Sequence, residues 1–305
     1  METPINTGKY VQLIVDFYDR LNRKTAGWLA VFVRAVTRLM RKRTTLAAAG
    51  ITYFSIFSIF PLLIVTISIL TSFLDELAVQ EAIRYWLDTS LPVPMGHLMD
   101  EVEGLLAVQG SVNLFAVGGF LFAASGMFYS ILLNVNFAWG IETIRSRMKS
   151  RILALLFAVA IAAVVVLLLI LLSVVRLVFS IIFKFLGNPL ANLMPQIGLT
   201  LIFFGIYKYG PSTHVDSRAA IISAAAASLA SEASTGILTW FIRSEWANYQ
   251  ILFGSLGAVI GFLFWIYVLN LIILAGAYLT EAIQDRWKSE DPSQYHVPLI
   301  FPYEF

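Results

Sequence analysis

Six long apolar runs, separated by lysines and arginines that fall on alternate sides, most constrain what this chain can fold into. The runs cover residues 46–74, 112–139, 152–183, 193–209, 219–242 and 251–282. Each is about long enough to cross a ~30 Å hydrocarbon core as a helix. With the N-terminus in the cytoplasm, all but four of the 21 Lys and Arg residues fall on the cytoplasmic side, the exceptions being Arg84, Arg176, Lys184 and Arg243. The positive-inside rule then predicts both termini in the cytoplasm. The expected fold is all-α: a polytopic membrane protein with a bundle of six transmembrane helices, an N-terminal interfacial helix pair and a short helical extracytoplasmic cap.

Composition agrees with this and removes several function classes. The chain is 59% hydrophobic and 13% charged, with a mean hydropathy of +0.79, whereas soluble domains are about 25% charged. The net charge of +2 does not point to nucleic acid, because the basic residues flank the spans, where anionic lipid head groups account for them. There is no cysteine, which excludes disulfides, thiolate nucleophiles and Cys-ligated metal sites. His97, His214 and His296 fall in an outer loop, an inner loop and the C-terminal tail, so no metal site is expected. No P-loop, Gly-x-Ser-x-Gly elbow or dinucleotide fingerprint occurs. The expectation is a non-enzymatic protein without cofactor or catalytic residues.

Residues 1–45 form a charged segment unlike a short cleavable signal, so the first span is expected to stay in the protein. Within it, Tyr10, Leu13, Ile14, Phe17 and Leu21 share one helical face, and Trp28, Phe32, Ala35, Val36 and Leu39 share another. Gly27 is the expected break. With Arg20, Arg23, Lys24, Arg34, Arg38, Arg41, Lys42 and Arg43 on the polar side, the pattern predicts two interfacial helices on the cytoplasmic leaflet. The simplest role for them is an elbow that orients the first span. The loop 75–111 carries seven acidic residues against Arg84, and two apolar stripes separated by Pro92 and Pro94 predict two short amphipathic helices capping the outside. Residues 286–305 form a cytoplasmic tail, and 46–285 the membrane domain.

Polar groups inside the runs are the candidate functional residues. Glu232 lies inside the fifth run, about fifteen residues, or ~22 Å of helix, from the cytoplasmic start near Ser217. An ionisable group there costs roughly 2.5–3.5 kcal/mol on insertion scales and needs protein or water around it. Arg176, toward the outer end of the third run, is its expected counter-charge. The pair can lock the bundle or act on protons or cargo, and the sequence leaves both open. Asn270, Asn134 and Asn136 are expected to make interhelical hydrogen bonds. Pro61 removes a backbone hydrogen bond inside the first run, near Thr52, Ser55 and Thr66, and is the candidate hinge.

Several strings together resemble one family. They are Thr44-Thr45-Leu46-Ala47-Ala48-Ala49-Gly50-Ile51-Thr52-Tyr53-Phe54-Ser55 with Phe60-Pro61-Leu62-Leu63, then Pro211-Ser212-Thr213 with Val215 and Arg218-Ala219. The last are Asn248-Tyr249-Gln250, Phe253-Gly254-Ser255-Leu256-Gly257-Ala258-Val259-Ile260 and Trp265-Ile266-Tyr267. Across residues 41–284 the chain resembles the bacterial YihY/BrkB family. The resemblance implies six helices in the bacterial inner membrane, both ends in the cytoplasm, and a family glutamate at the position of Glu232. One departure is Gly276-Ala277-Tyr278 where the family often has Gly-Ala-Glu, with Glu281 one turn further on. A ribonuclease label attached to the family does not fit a chain with no cluster of acid/base or metal-binding residues outside the membrane.

The reading that follows is a transporter or lipid-translocating protein of the bacterial envelope, with Glu232, Arg176 and Asn270 at a cargo or coupling site among the first, third, fifth and sixth spans. Its partners would be membrane lipids, with anionic head groups at the cytoplasmic face, and a lipid or small-solute cargo. The alternative is an envelope scaffold that holds protein partners through its acidic outer cap and basic inner surface.

Overall fold

A computed structural model describes residues 17–71, 81, 114–141, 152–157, 159–161, 163–164, 167, 189–243 and 256–289. Among these residues every regular element is helical and no strand occurs. The main helices are α1 (Trp28–Leu39), α2 (Lys42–Thr71), α3 (Leu114–Ala138), α4 (Pro189–Tyr209), α5 (Ser217–Arg243) and α6 (Leu256–Lys288). At 1.5 Å per residue, the 33 residues of α6 make a rod of about 50 Å, well beyond the hydrocarbon thickness. The stretches Ser217–Phe241 and Val259–Lys288 are long and apolar enough to cross a membrane. The outer cap expected over 75–111 and the tail lie outside the described residues, apart from the single helical position Glu81. Of the expected third span, the described positions between 152 and 167 are helical.

Helix α6 is the axis of the assembly. It packs against α1, α2 and α5, and more lightly on α3 and α4, while α2 pairs with α3 and α4 with α5. The core at this meeting point joins Ile51, Ile131, Val135, Phe203, Ile206, Tyr207, Ala220, Ala224, Ala227, Ile273, Leu274 and Ala277. Alanines on α5 permit close approach, the usual way helices gain contact where lipid supplies no hydrophobic drive between them. The tightest approach is at Gly276: a Cβ there would sit 2.8 Å from Tyr207 Cε2, so the tyrosine ring lies on bare backbone.

Helix starts follow local chemistry. Residues 17–24 are helical, and the chain turns at 25–27, where Gly27 has φ 84, a conformation that favours glycine. Asn22 reaches across this turn and accepts the Ala30 amide at 3.0 Å, while Thr25 Oγ1 accepts that of Leu29 at 3.3 Å. The first-turn donors of α1 are thereby satisfied from the preceding helix. At α5, Asp216 Oδ1 accepts the Arg218 amide at 2.7 Å, an aspartate N-cap.

Helix α1 is turned the opposite way from a helix lying on a soluble core. Ala30, Val31 and Ala35 are buried, and Arg34 and Arg38 point at α6 and bond it. Trp28, Phe32 and Met40 face outward. The arginines therefore serve the protein interior and the large apolar side chains face the surroundings, which differs from the polar outer face that periodicity predicts for these two arginines. Carboxylates on α6 outcompete water for them.

Candidate functional site

Three polar constellations occur on this frame. The first joins α1 to the end of α6. Arg34 Nη2 lies 2.6 Å from Glu281 Oε1, and Arg34 also pairs with Asp285. Arg38 Nη1 lies 2.9 Å from Glu281 Oε2 and donates to the Ala138 carbonyl at 3.0 Å, capping a C-terminal carbonyl of α3 that its own helix cannot satisfy. Arg286 donates to the Ala26 carbonyl from Nε at 2.9 Å and Nη2 at 2.6 Å, and its guanidinium sits 4.5 Å from the Trp28 ring centroid. Both oxygens of Glu281 are thus used by arginines, a strong charge-assisted arrangement.

Beside it, two amides fasten the loop between α4 and α5. Asn136 donates to the Gly210 carbonyl at 3.2 Å and accepts the Ser212 amide at 2.6 Å. Gln284 accepts the Asp216 amide at 2.7 Å and donates to the His214 carbonyl at 3.0 Å. Lys208 bonds the Val215 carbonyl. Asn136 thus bonds a loop rather than the neighbouring helix expected for it, and Asn134 returns to its own helix at the Ser130 carbonyl, 2.9 Å away.

The second constellation is a buried seam between α2 and α6. Thr44 donates to the Arg38 carbonyl at 2.9 Å and lies 2.9 Å from the Tyr278 hydroxyl; having one proton, it receives that of Tyr278. Two turns along, Asn270, only 2% exposed, donates to Thr52 Oγ1 at 3.2 Å, and Thr52 passes its proton to the Ala48 carbonyl at 2.8 Å. Ser55 and Ser58 continue the buried face, bonding the carbonyls of Ile51 and Ser55 at 2.9 Å each, with Met127 Sδ 3.3 Å from Ser58 Oγ. Pro61 lies in the helical run of α2, and its side chain is outside the described ones.

The third constellation surrounds Glu232. The structure places this carboxylate on the outward side of α5, exposed and with no hydrogen-bond or ion-pair partner among the described residues. It is therefore not brought together with Asn270. Arg176 lies outside the described residues, and so does the pairing expected for it. One turn before Glu232, Ser228 is buried and donates to the Gln196 carbonyl of α4 at 3.2 Å. Thr235 Oγ1 accepts from Trp265 Nε1 at 3.0 Å and donates to the Ser231 carbonyl at 2.9 Å, and Thr239 donates to the Thr235 carbonyl at 2.7 Å.

Residues 41–284, where the sequence resemblance runs, contain all three constellations apart from Ala26, Trp28, Arg34, Arg38, Asp285 and Arg286. The family model described as Virulence factor BrkB matches residues 35–298. The chain belongs to the BrkB family. A UPF0761 membrane protein of Vibrio parahaemolyticus is 27% identical over 292 residues, covering 93% of this chain and 92% of the relative. Another UPF0761 membrane protein, from Vibrio atlanticus, is 31% identical over 278 residues, covering 88% and 87%, and one from Aliivibrio salmonicida is 28% identical over 259 residues, covering 82% of each. These similarities and the two spanning helices make this BrkB-family chain a membrane protein. No solved structure matches it.

Periodicity missed Arg34 and Arg38 as partners of Glu281 and Asp285. A signal was present: both pairs have i, i+4 spacing, which puts each pair on one helix face, with opposite signs on the two helices.

Proposed function

We propose that this protein moves a lipid or small solute across the bacterial inner membrane, with six spans and both termini in the cytoplasm. The observation that carries the reading is Glu232: a carboxylate in the middle of a helix able to cross the membrane, facing away from the protein. In bare lipid such a group costs roughly 2.5–3.5 kcal/mol. Contact with a polar cargo or with water that accompanies it offsets that cost. An apolar groove of about 300 Å³ between the described helical positions from 152 to 164 and α4, lined by Leu156, Phe157, Ile161, Leu201, Gly205 and Tyr209, has the chemistry of an acyl-chain site. Exposed Arg20, Arg23, Lys24, Arg41 and Lys42, with Phe17, Trp28 and Phe32 also exposed, suit the anionic cytoplasmic leaflet. The seam of Thr52, Ser55, Ser58 and Asn270 supports polar passage less well, because its hydroxyl protons are already committed to carbonyls.

The test is reconstitution of the full chain into vesicles that hold acyl-labelled fluorescent phospholipid, with a membrane-impermeant quencher outside. The expected result is loss of inner-leaflet fluorescence faster than in protein-free vesicles. Equal rates for lipids and for a panel of entrapped solutes would overturn the reading.

A further inference from the structure

Glu232, Thr235, Gly236 and Thr239 fall on one strip of α5 at spacings of three, one and three residues, with Glu232 and Gly236 exposed and the two threonines partly so, while Ser228, one turn earlier, is covered by α4. The strip from 232 to 239 extends about 10 Å along the helix axis, about a third of the ~30 Å hydrocarbon core. Its polar groups share one property. The hydroxyl protons of Thr235 and Thr239 are given to backbone carbonyls, and Glu232 offers only acceptor oxygens when ionised. What remains along the strip is a short line of acceptors with one negative charge at its end. Its borders are different: Leu229, Ile237 and Trp240 are more than 60% exposed and present apolar surface to the bilayer.

We propose that this strip is a head-group track on the outside of α5 that selects phospholipids carrying a primary ammonium. The ammonium supplies the donors and the positive charge that the strip lacks, while the acyl chains stay in the bilayer against Leu229, Ile237 and Trp240. A bare phosphate monoester or a glycerol head group brings no positive charge to Glu232, and an anionic head group is repelled by it. Gly236, one turn from Glu232 and with open space where a Cβ would stand, leaves room for the head group beside the carboxylate. This inference rests on the transport reading for its biological sense, but the contact itself can be tested without transport.

The experiment places the full chain in nanodiscs with equal amounts of phosphatidylethanolamine and phosphatidylglycerol and reads retained lipid by native mass spectrometry. The expected result is enrichment of phosphatidylethanolamine in the wild type by about tenfold, the factor that one charge-assisted hydrogen bond carries. Glu232→Gln should abolish the enrichment and Glu232→Asp should keep most of it, with both variants folded because the position is exposed. No enrichment in the wild type, or enrichment unchanged by Glu232→Gln, overturns the track even if the vesicle assay shows lipid movement. Enrichment lost in Glu232→Gln supports the track even if no lipid moves, in which case only the transport reading falls. A change in oligomer mass without a change in lipid preference would make the strip a contact between protein chains and would also overturn the proposal.

Discussion

Two carboxylates on neighbouring helices meet opposite fates. Glu281, near the end of α6, is held by Arg34 at 2.6 Å and Arg38 at 2.9 Å, and its side chain is only 13% exposed. Glu232, in the middle of α5, is exposed with no ion-pair partner among the described residues. A carboxylate with two guanidiniums around it is a fastener, because removing it leaves two cations facing an emptied pocket. A carboxylate in mid-span without protein partners adds little to the fold and is free to meet something else. The contrast separates a paired acid from an open one by surroundings alone, since the two residues are chemically identical.

The sharpest way to test the rigid side of this contrast is Gly276→Ala, one turn before Glu281 on α6. The new methyl group collides with the Tyr207 ring, and overpacking of this kind costs about 3 kcal/mol. Heating the detergent-solubilised variant and following the folded monomer by size exclusion should show a large fall in Tm. Glu281→Ala should destabilise by about 2 kcal/mol, less than a fully buried pair because both arginines are partly exposed. Addition of Arg34→Leu and Arg38→Leu to it should restore part of the loss. If Glu281→Ala were silent, the fastener would be no more than a surface contact.

Asn270→Leu removes the hydrogen bond to Thr52 and should cost about 1 kcal/mol, the usual scale inside membrane bundles. Unfolding in mixed micelles reads it. Asp285→Asn, at a side chain that is 48% exposed, should change stability by about 0.5 kcal/mol or less. Glu232→Gln should alter stability least of all while altering lipid preference most. A Glu232→Gln variant as unstable as Glu281→Ala would erase the distinction between the two acids.

Much of the architecture was legible in the chain. Apolar runs at 46–74, 112–139, 193–209, 219–242 and 251–282 correspond to α2–α6, because run length and flanking charge are one-dimensional quantities. The turn at Gly27 was legible too, since a glycine between two amphipathic patterns can adopt the positive φ that a reversal needs. The candidate site was legible only as a set of residues. Hydropathy marked Glu232 and Asn270 as unusual but could not rotate their helices, so it grouped them. The structure turns Asn270 inward to Thr52 and Glu232 outward. It also turns Arg34 and Arg38 from an expected aqueous face to a carboxylate 247 and 243 residues away.

The sequence by itself determined that this chain is helical and membrane-embedded, because long apolar runs suit lipid as solvent and lipid offers the backbone no hydrogen-bond partner outside its own helix. Tertiary structure alone decided which polar side chains pair and which stand open. That choice depends on helix rotation and on which distant face arrives opposite, and both are set by packing of α6 against its neighbours rather than by any local pattern.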